Sequence, residues 1–173
     1  MELCINCMAG SIVNGVCNHC HKPAETMDGR VPYALPARMT LYRQYYIGRV
    51  LGAGGYGITY LAWDLRNNRR VAVKELYPRE NVKRNPDRVS IAVITGSESY
   101  FQHVKDSFKR EAKILHTLAA LKDVIEVYHL FELNNTAYYV MEYLEGEDLA
   151  HRLKKSGKMS WEELSPHIWR VLC

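Results

Sequence analysis

Several kinds of segment are missing from this 173-residue sequence. No window reaches the roughly 18 uninterrupted apolar residues that a membrane-spanning helix needs. The opening MELCINCMAG lacks the basic start and apolar stretch of a secretory signal. Basic residues form no long stripe of the kind that nucleic-acid-binding proteins carry, and the net charge is only +4. The sequence therefore predicts a cytoplasmic protein with no membrane segment in this chain and no nucleic-acid partner.

Cysteine is almost absent beyond the N-terminus, where Cys173 is the single example. Four of the five cysteines form two C-x-x-C pairs, Cys4 with Cys7 and Cys17 with Cys20. In a reducing compartment such a cluster is more typical of a metal site than of disulfides. Four thiolates around one ion suit tetrahedral Zn²⁺. Two disulfides or free thiols stay open as alternatives.

This cysteine module, residues 1–22, resembles the short zinc ribbons found at the N-termini of many bacterial proteins. About twenty residues cannot bury a core of their own, so we expect the metal to fold the segment. Four cysteine ligands leave no open coordination position, which argues against catalysis at the metal. A docking role and a sensing role both stay open.

The rest of the chain divides into two further segments. Residues 23–41 contain three prolines and no sustained hydrophobic period, which predicts an extended linker. Residues 42–173 begin with alternating β-branched and aromatic runs and continue with helical patterns. Together the patterns predict a small metal module, a Pro-containing linker and one α+β domain.

The stretch RVLGAGGYGITYLA carries the frame G-x-G-x-x-G at Gly52, Gly54 and Gly57. In a dinucleotide-binding fold this frame opens a helix, but here the strand-like runs ITYLAWDL and VAVKEL follow it. A Walker loop is excluded because no Gly-Lys-Ser/Thr follows. A glycine-rich turn between antiparallel strands can instead cover phosphates, because glycine permits close backbone approach and positive φ. Tyr56 at its tip could shield them from water, and an ordinary glycine-rich hairpin is the alternative.

Two charged residues stand at unusual positions in the next elements. In VAVKEL, strand alternation places Lys74 on one face with Ala72 and Leu76. In the helical pattern of ESYFQHVKDSFKREAKILHTL, Glu111 falls on the apolar stripe between Phe108 and Leu115. A carboxylate there is costly to bury unless it is paired, so we expect it to pair with Lys74. Solvent exposure of Glu111 and a snorkelling Lys74 are the alternatives.

Residues 42–173 resemble the N-terminal part of a protein kinase domain of the bacterial serine/threonine type. The matching segments are LGAGGYGITYLA, VAVK, FKREAKIL and AYYVMEYLEGEDL. The resemblance implies an α+β fold. An antiparallel twisted sheet and one long helix form the N-terminal lobe, and a hinge and the first helices of a partial C-terminal lobe follow. KELYP and the long basic insert after it look like a bacterial subgroup, and we expect the insert to be a solvated loop with one strand, or else a docking site.

The resemblance also implies a set of site residues and partners. Lys74 and Glu111 would form the catalytic ion pair, and the partners would be ATP and proteins with Ser or Thr hydroxyls. Met141 would be the gatekeeper, Glu142 and Leu144 would offer backbone groups to adenine, and Asp148 would approach the ribose. The full set implied to bind ATP is Leu51, Gly52, Ala53, Gly54, Gly55, Tyr56, Gly57, Thr59, Ala72, Lys74, Met141, Glu142, Leu144 and Asp148.

Phosphoryl transfer needs segments that these residues do not contain. No His-Arg-Asp or Asp-Phe-Gly occurs in the sequence, so the Mg²⁺ ligands would lie outside this chain. Ser160 and Glu163 form a capping-box pattern, which predicts that a helix starts near Ser160. We therefore expect this chain alone to be inactive. It would be a fragment of an active kinase, a natural short nucleotide-binding protein, or a zinc-ribbon adaptor with a kinase-like scaffold.

Overall fold

A computed structural model describes residues 2–24, 31–121, 123–146, 149–163 and 165. Its elements in chain order are β1 (Ile12–Val13), β2 (Val16–Cys17), β3 (Thr40–Leu41), β4 (Tyr45–Ala53), β5 (Gly57–Asp64), β6 (Arg69–Leu76), β7 (Val82–Arg84), β8 (Ile91–Val93), α1 (Glu98–Thr117), β9 (Val127–Leu133), β10 (Thr136–Glu142) and α2 (Leu149–Ser156). None of the helices in these ranges has the length and apolarity that a bilayer span requires.

The centre of the fold is a six-stranded antiparallel sheet in the order β3-β4-β5-β6-β10-β9. Helix α1 packs against β9 and β10. Two small hairpins, β1–β2 and β7–β8, stand outside this sheet. One long helix on an antiparallel sheet confirms the predicted α+β class.

Helix α1 is held to the sheet by the apolar stripe that its sequence pattern predicts. Phe101, Phe108 and Ala112 are buried, and the Phe108 ring centroid lies 4.9 Å from that of Tyr139 on β10. Leu118, the last residue of the predicted stripe, is 38% exposed because α1 has already ended. The stripe sets the rotation of α1, and with it the direction in which Glu111 points.

The predicted capping box is present after α2. The backbone N–H of Ser160 donates to Glu163 Oε2 at 3.1 Å, and the backbone N–H of Glu163 donates to Ser160 Oγ at 3.3 Å. Two N–H groups that have no partner within the helix are thereby satisfied. Residues 161–163 are helical, so the predicted helix start is confirmed.

The face of the sheet that carries Val73 and Glu75 is covered by a buried polar cluster. Glu75 is fully buried, and its carboxylate accepts from Arg84 Nη1 at 2.7 Å and Nη2 at 2.8 Å. Tyr60 and Tyr138 donate to the same carboxylate at 2.7 and 3.1 Å. Four donors match the roughly four lone-pair positions of a carboxylate, so the buried charge is fully satisfied.

Two segments turn out to be less exposed than their composition suggests. Residues 31–41, within the predicted linker, lie against the sheet: Leu35 is buried and its N–H donates to Tyr60 Oη at 3.0 Å. The expectation that the basic insert is a solvated loop with one strand is wrong. The insert forms the two-stranded β7–β8 hairpin, in which Val82 and Ile91 are buried. Arg84 of this hairpin reaches Glu75, which explains why a basic segment packs on the domain.

Candidate functional site

Three side chains from three elements meet on the sheet face opposite Glu75. Lys74 Nζ on β6 donates to Glu111 Oε1 on α1 at 2.8 Å, and Tyr139 Oη on β10 donates to the same oxygen at 2.8 Å. Lys74 and Tyr139 are direct cross-strand partners. The expected contact between Lys74 and Glu111 is therefore present. Tyr139 is a third member that sequence reasoning missed, although its place opposite Lys74 follows once β6 and β10 are paired.

Glu111 lies at the rim of the apolar stripe rather than in its centre. Its side chain is 48% exposed, so Glu111 is both paired with Lys74 and partly exposed to solvent. Phe108 and Ala112 take the buried positions. Partial burial raises the pKa of Glu111, but the hydrogen bonds from Lys74 and Tyr139 outweigh it and hold the pKa below its ordinary value. The carboxylate is thus ionised at neutral pH and keeps the Lys74 ammonium in place.

The glycine loop between β4 and β5 leaves room for a ligand. A Cβ at Gly52, Gly54 or Gly55 would have no other heavy atom within 4 Å. None of these glycines adopts a positive φ, so the conformational reason expected for them does not apply. A Cβ at Gly57, by contrast, would lie 2.7 Å from the Glu75 carbonyl oxygen. The first three therefore keep space on the open side, and the last permits β5 to approach β6.

The backbone ties the loop to the chain that follows β6. Gly54 N–H donates to the Gly57 carbonyl at 2.9 Å, and Tyr77 N–H donates to the Tyr56 carbonyl at 3.0 Å. The Tyr56 side chain is 62% exposed, and its hydroxyl lies 3.4 Å from that of Tyr100 on α1. The loop tip is thus close to the start of the helix that carries Glu111.

Three of the remaining predicted residues, Thr59, Ala72 and Met141, lie with Lys74 in two rows across the same sheet face. Ala72 is paired with Leu61 on β5 and Met141 on β10, and Lys74 with Thr59 and Tyr139. Ala72 is buried, whereas Thr59 and Met141 are partly exposed. Leu51 is partly exposed and Ala53 is exposed on β4. The small side chain of Ala72 between two larger ones leaves a shallow apolar floor beside the lysine.

The segment after β10 has two features of a hinge. The Glu142 N–H donates to the Glu126 carbonyl at 2.9 Å, so Glu142 can offer a ligand its carbonyl but not its N–H. Leu144 is 62% exposed on irregular backbone. Arg70, at the start of β6, forms an ion pair with Glu145; this contact was not foreseen from the sequence. Asp148 lies outside the described residues.

The four paired cysteines converge on one point. Their sulfurs all lie within 4.8 Å of one another. The Sγ–Sγ distances are 3.8 Å for Cys4 and Cys20 and 3.7 Å for Cys7 and Cys17, far longer than the ~2.05 Å of a disulfide. Sulfurs at 2.3 Å from a tetrahedral zinc are about 3.8 Å apart. The geometry of the thiols therefore fits Zn²⁺ and not the disulfide alternative.

The surroundings of these thiols differ in a way that favours at least one thiolate. Burial raises the pKa of Cys17, but the backbone N–H groups of Cys20 and His19, at 3.4 and 3.3 Å from its sulfur, outweigh it and lower the pKa to about 6. Burial raises the pKa of Cys4 and, to about 12, that of Cys20. A cation at the centre would favour the thiolate at each position.

Most of the chain matches a known protein family. The model described as protein kinase domain matches residues 45–173. The serine/threonine-protein kinase PknA of Nostoc sp. is 35% identical over 123 residues, which are 69% of this chain and 19% of that protein. The serine/threonine-protein kinase PknD of Chlamydia muridarum is 34% identical over 112 residues, 65% of this chain and 10% of that protein. The chain thus spans between a tenth and a fifth of the length of these relatives.

Solved structures agree with the sheet and helix described above. A structure described as the PpkA-294 apo form has a TM-score of 0.66 and 31% sequence identity, and the match covers 71% of this chain and 43% of that one. The kinase domain of Mycobacterium tuberculosis PknI has a TM-score of 0.59 at 21% identity, covering 80% of this chain and 47% of that one. The second likeness concerns the fold alone.

Proposed function

Because this chain belongs to the protein kinase domain family, we propose that it binds ATP under the glycine loop between β4 and β5. The cluster of Lys74, Glu111 and Tyr139 carries the proposal. An ammonium group has three donors; Glu111 accepts one, and the others are available to phosphate oxygens. With Mg²⁺, bound ATP would supply the phosphoryl group to be transferred.

Each remaining residue of the predicted set has a role in this proposal. The loop glycines let backbone N–H groups approach the phosphates, because no side chain fills the space above them. Leu51, Ala72 and Met141 offer apolar surface to the base. The Glu142 carbonyl and the Leu144 backbone offer it hydrogen bonds, while Thr59, Ala53, Gly55 and Tyr56 line the phosphate end. For Asp148, contact with the ribose is what the resemblance to kinases implies.

The parent reaction that we propose is transfer of the ATP γ-phosphate to Ser or Thr hydroxyls of proteins. The relatives PknA and PknD are named serine/threonine-protein kinases, which supports this class of substrate. The 173 residues contain no His-Arg-Asp and no Asp-Phe-Gly, so by themselves they lack the positioning carboxylate and the Mg²⁺ ligands. We expect them to bind ATP without transferring phosphate to a protein.

The chain contains its own control for the role of Lys74. Lys109 forms a similar ion pair with Glu132 at 2.6 Å, and its side chain is 31% exposed against 30% for Lys74. We expect Lys74→Met to weaken ATP binding, measured by titration calorimetry, by on the order of tenfold or more, because it removes a charge-assisted hydrogen bond. Lys109→Met should leave the affinity within about twofold of the parent chain, since Lys109 pairs with Glu132 on β9 and with no residue of the proposed site.

Two results would contradict this function. Equal losses of ATP affinity in Lys74→Met and Lys109→Met would remove Lys74 from the site, and no ATP binding by the parent chain would reject the site altogether.

Transfer of labelled phosphate to a protein substrate by the 173 residues alone would reject the expected inactivity. An open frame in the DNA after codon 173 that encodes both missing motifs would favour the kinase over the non-catalytic adaptor.

We also propose that the cysteine module holds one Zn²⁺ through Cys4, Cys7, Cys17 and Cys20. The convergence of the four sulfurs supports this ion, and the amide hydrogen bonds to Cys17 support its thiolate form. Metal analysis of the chain purified under reducing conditions should give about one zinc per chain, lost in Cys17→Ser. A metal-free parent chain would reject the site. A cytoplasmic location remains part of the proposal, and it rests on the C-x-x-C spacing, which is more typical of a metal site in a reducing compartment than of disulfides.

A further inference from the structure

The cysteine module is seated on strand β4 of the kinase domain through the turn between its first two cysteines. Ile5 and Asn6 lie between Cys4 and Cys7, and Met8 follows directly. Ile5, Asn6 and Met8 are 2%, 6% and 0% exposed. The cysteine module is too small to bury three neighbouring side chains by itself, so another part of the chain must cover them. The surface that covers them includes Gly48.

Gly48 permits this close approach. A Cβ at this position would overlap the Met8 Cε atom and would lie 2.6 Å from the Ile5 carbonyl oxygen. It would also lie 3.0 Å from the Leu61 carbonyl oxygen of β5. No other residue type leaves space for the module, the strand and its neighbour at the same point. Gly48 is therefore a contact residue for the module within the sheet.

A β-bulge stands at the same place. Ile47 is paired with Ala62 and Val50 with Tyr60, so three steps along β4 oppose two along β5. A bulge takes backbone groups out of the ladder, and they need other partners. The Arg49 N–H donates to the Ile5 carbonyl at 3.0 Å, and Arg49 Nε donates to the Asn6 carbonyl at 2.9 Å. The module thus satisfies a polar group that the sheet itself leaves unpaired.

The bulge is near the glycine loop along the strand. Gly52 lies three residues beyond Arg49, a distance of about 10 Å in extended backbone. The register of β4 against β5 shifts again between Val50 and Gly52. A strand with two irregularities depends on contacts outside the ladder for its path. The contacts from Arg49 to the module lie two residues before Leu51 and three before Gly52.

The two carbonyls that hold Arg49 belong to a turn that a metal would shape. Binding at Cys4 and Cys7 closes the turn that contains Ile5 and Asn6, and without metal a segment of about twenty residues has little to keep it folded. We propose that metal occupancy of the cysteine module is coupled to nucleotide affinity at the glycine loop through Gly48 and Arg49. This inference rests on the proposed ATP and zinc sites, and it assigns the module a regulatory role.

The coupling is testable in both directions on the full chain. A fluorescent ATP analogue should bind the zinc-loaded chain about fivefold or more tightly than the chelated chain, within the range usual for coupled sites. By reciprocity, the analogue should tighten zinc binding by the same factor. Circular dichroism of both forms reports whether the domain stays folded.

Variants separate docking from metal binding. Gly48→Ala should still bind one zinc, but its nucleotide affinity should stay at the low value with or without metal. Arg49→Met removes only the side-chain contact to Asn6 and should lose part of the coupling. This variant tests the same route if Gly48→Ala does not fold. Val13→Ser, at an exposed position on β1 at the far tip of the module, should behave as the parent chain.

The outcomes distinguish the inference from the proposed function beneath it. Equal nucleotide affinity of the zinc-loaded and chelated parent chains, both folded, would overturn the coupling and leave the ATP site intact. Full coupling in Gly48→Ala would overturn the route through β4. A zinc-loaded parent chain that binds no ATP analogue would overturn both the nucleotide site and the coupling.

Discussion

Removal of Arg84 is expected to be one of the most damaging single changes outside the nucleotide site. The Glu75 carboxylate is fully buried, the Arg84 side chain is 8% exposed, and two hydrogen bonds of 2.7 and 2.8 Å join them. Arg84→Met leaves a buried negative charge without its counter-ion, which typically costs about 3–5 kcal/mol of unfolding free energy. Domains of this kind have about 5–15 kcal/mol in total.

Arg84 contributes more than its charge. Its guanidinium also donates to the carbonyls of Tyr33 at 2.9 Å and Val89 at 2.7 Å, which join residues 31–35 to the β7–β8 hairpin and hold the connection within that hairpin. We therefore expect a value toward the upper end of the range. Glu75→Gln combined with Arg84→Met should recover about 1–3 kcal/mol relative to Arg84→Met alone, because no unpaired charge remains.

Urea denaturation followed by circular dichroism, with zinc present throughout, measures these free energies. Lys109→Met serves as the control, because it removes an exposed ion pair and should leave the unfolding free energy unchanged within error. The reasoning fails if Arg84→Met is no more destabilising than this control. It also fails if Glu75→Gln and Arg84→Met are additive, since the two groups would then not be energetically coupled.

Three further predictions follow from individual positions. Gly57→Ala should destabilise the domain by about 1–3 kcal/mol because its Cβ meets the Glu75 carbonyl, whereas Gly54→Ala should leave urea midpoints unchanged; equal midpoints would refute the steric argument. Glu111 has a lowered pKa, so its stabilising effect is present above its ordinary pKa and is lost as pH falls through the lowered value. The difference in unfolding free energy between the parent chain and Glu111→Gln should therefore shrink on acidification. A difference that stays constant with pH would contradict this. Gly10→Ala places a Cβ 2.7 Å from the Cys17 sulfur and should reduce the zinc content of the chain. Metal analysis that still finds one zinc per chain in this variant would disprove the prediction.

Much of the candidate site could be predicted because its signals are local. Strand alternation is enough to place Lys74 and Ala72 on one face, and the period of α1 is enough to place Glu111 near that face. Each signal lies within a single strand or helix. The pairing of Lys74 with Glu111 then needs one assumption, that α1 covers this face, and the hydrogen bond of 2.8 Å is consistent with it.

Other contacts could not be predicted because they join distant parts of the chain. Tyr138 reaches Glu75 across 63 residues, and Arg49 reaches Asn6 across 43. No periodicity marks such partners, since either residue on its own resembles an ordinary surface or core position. The polar composition of residues 79–97 points to solvent, yet the β7–β8 hairpin packs on the sheet because Arg84 finds a buried carboxylate there.

The glycine frame, the lysine and glutamate, and the four cysteines can be identified from the sequence, because spacing along the chain specifies strands, helix faces and metal-ligand pairs. The contacts among these parts are visible only in the folded chain. The pairing of β6 with β10 added Tyr139 to the charged cluster. The bulge at Gly48 and Arg49 brought the cysteine module onto the strand of the glycine loop. Both depend on long-range backbone pairing, which the packing of the whole domain selects.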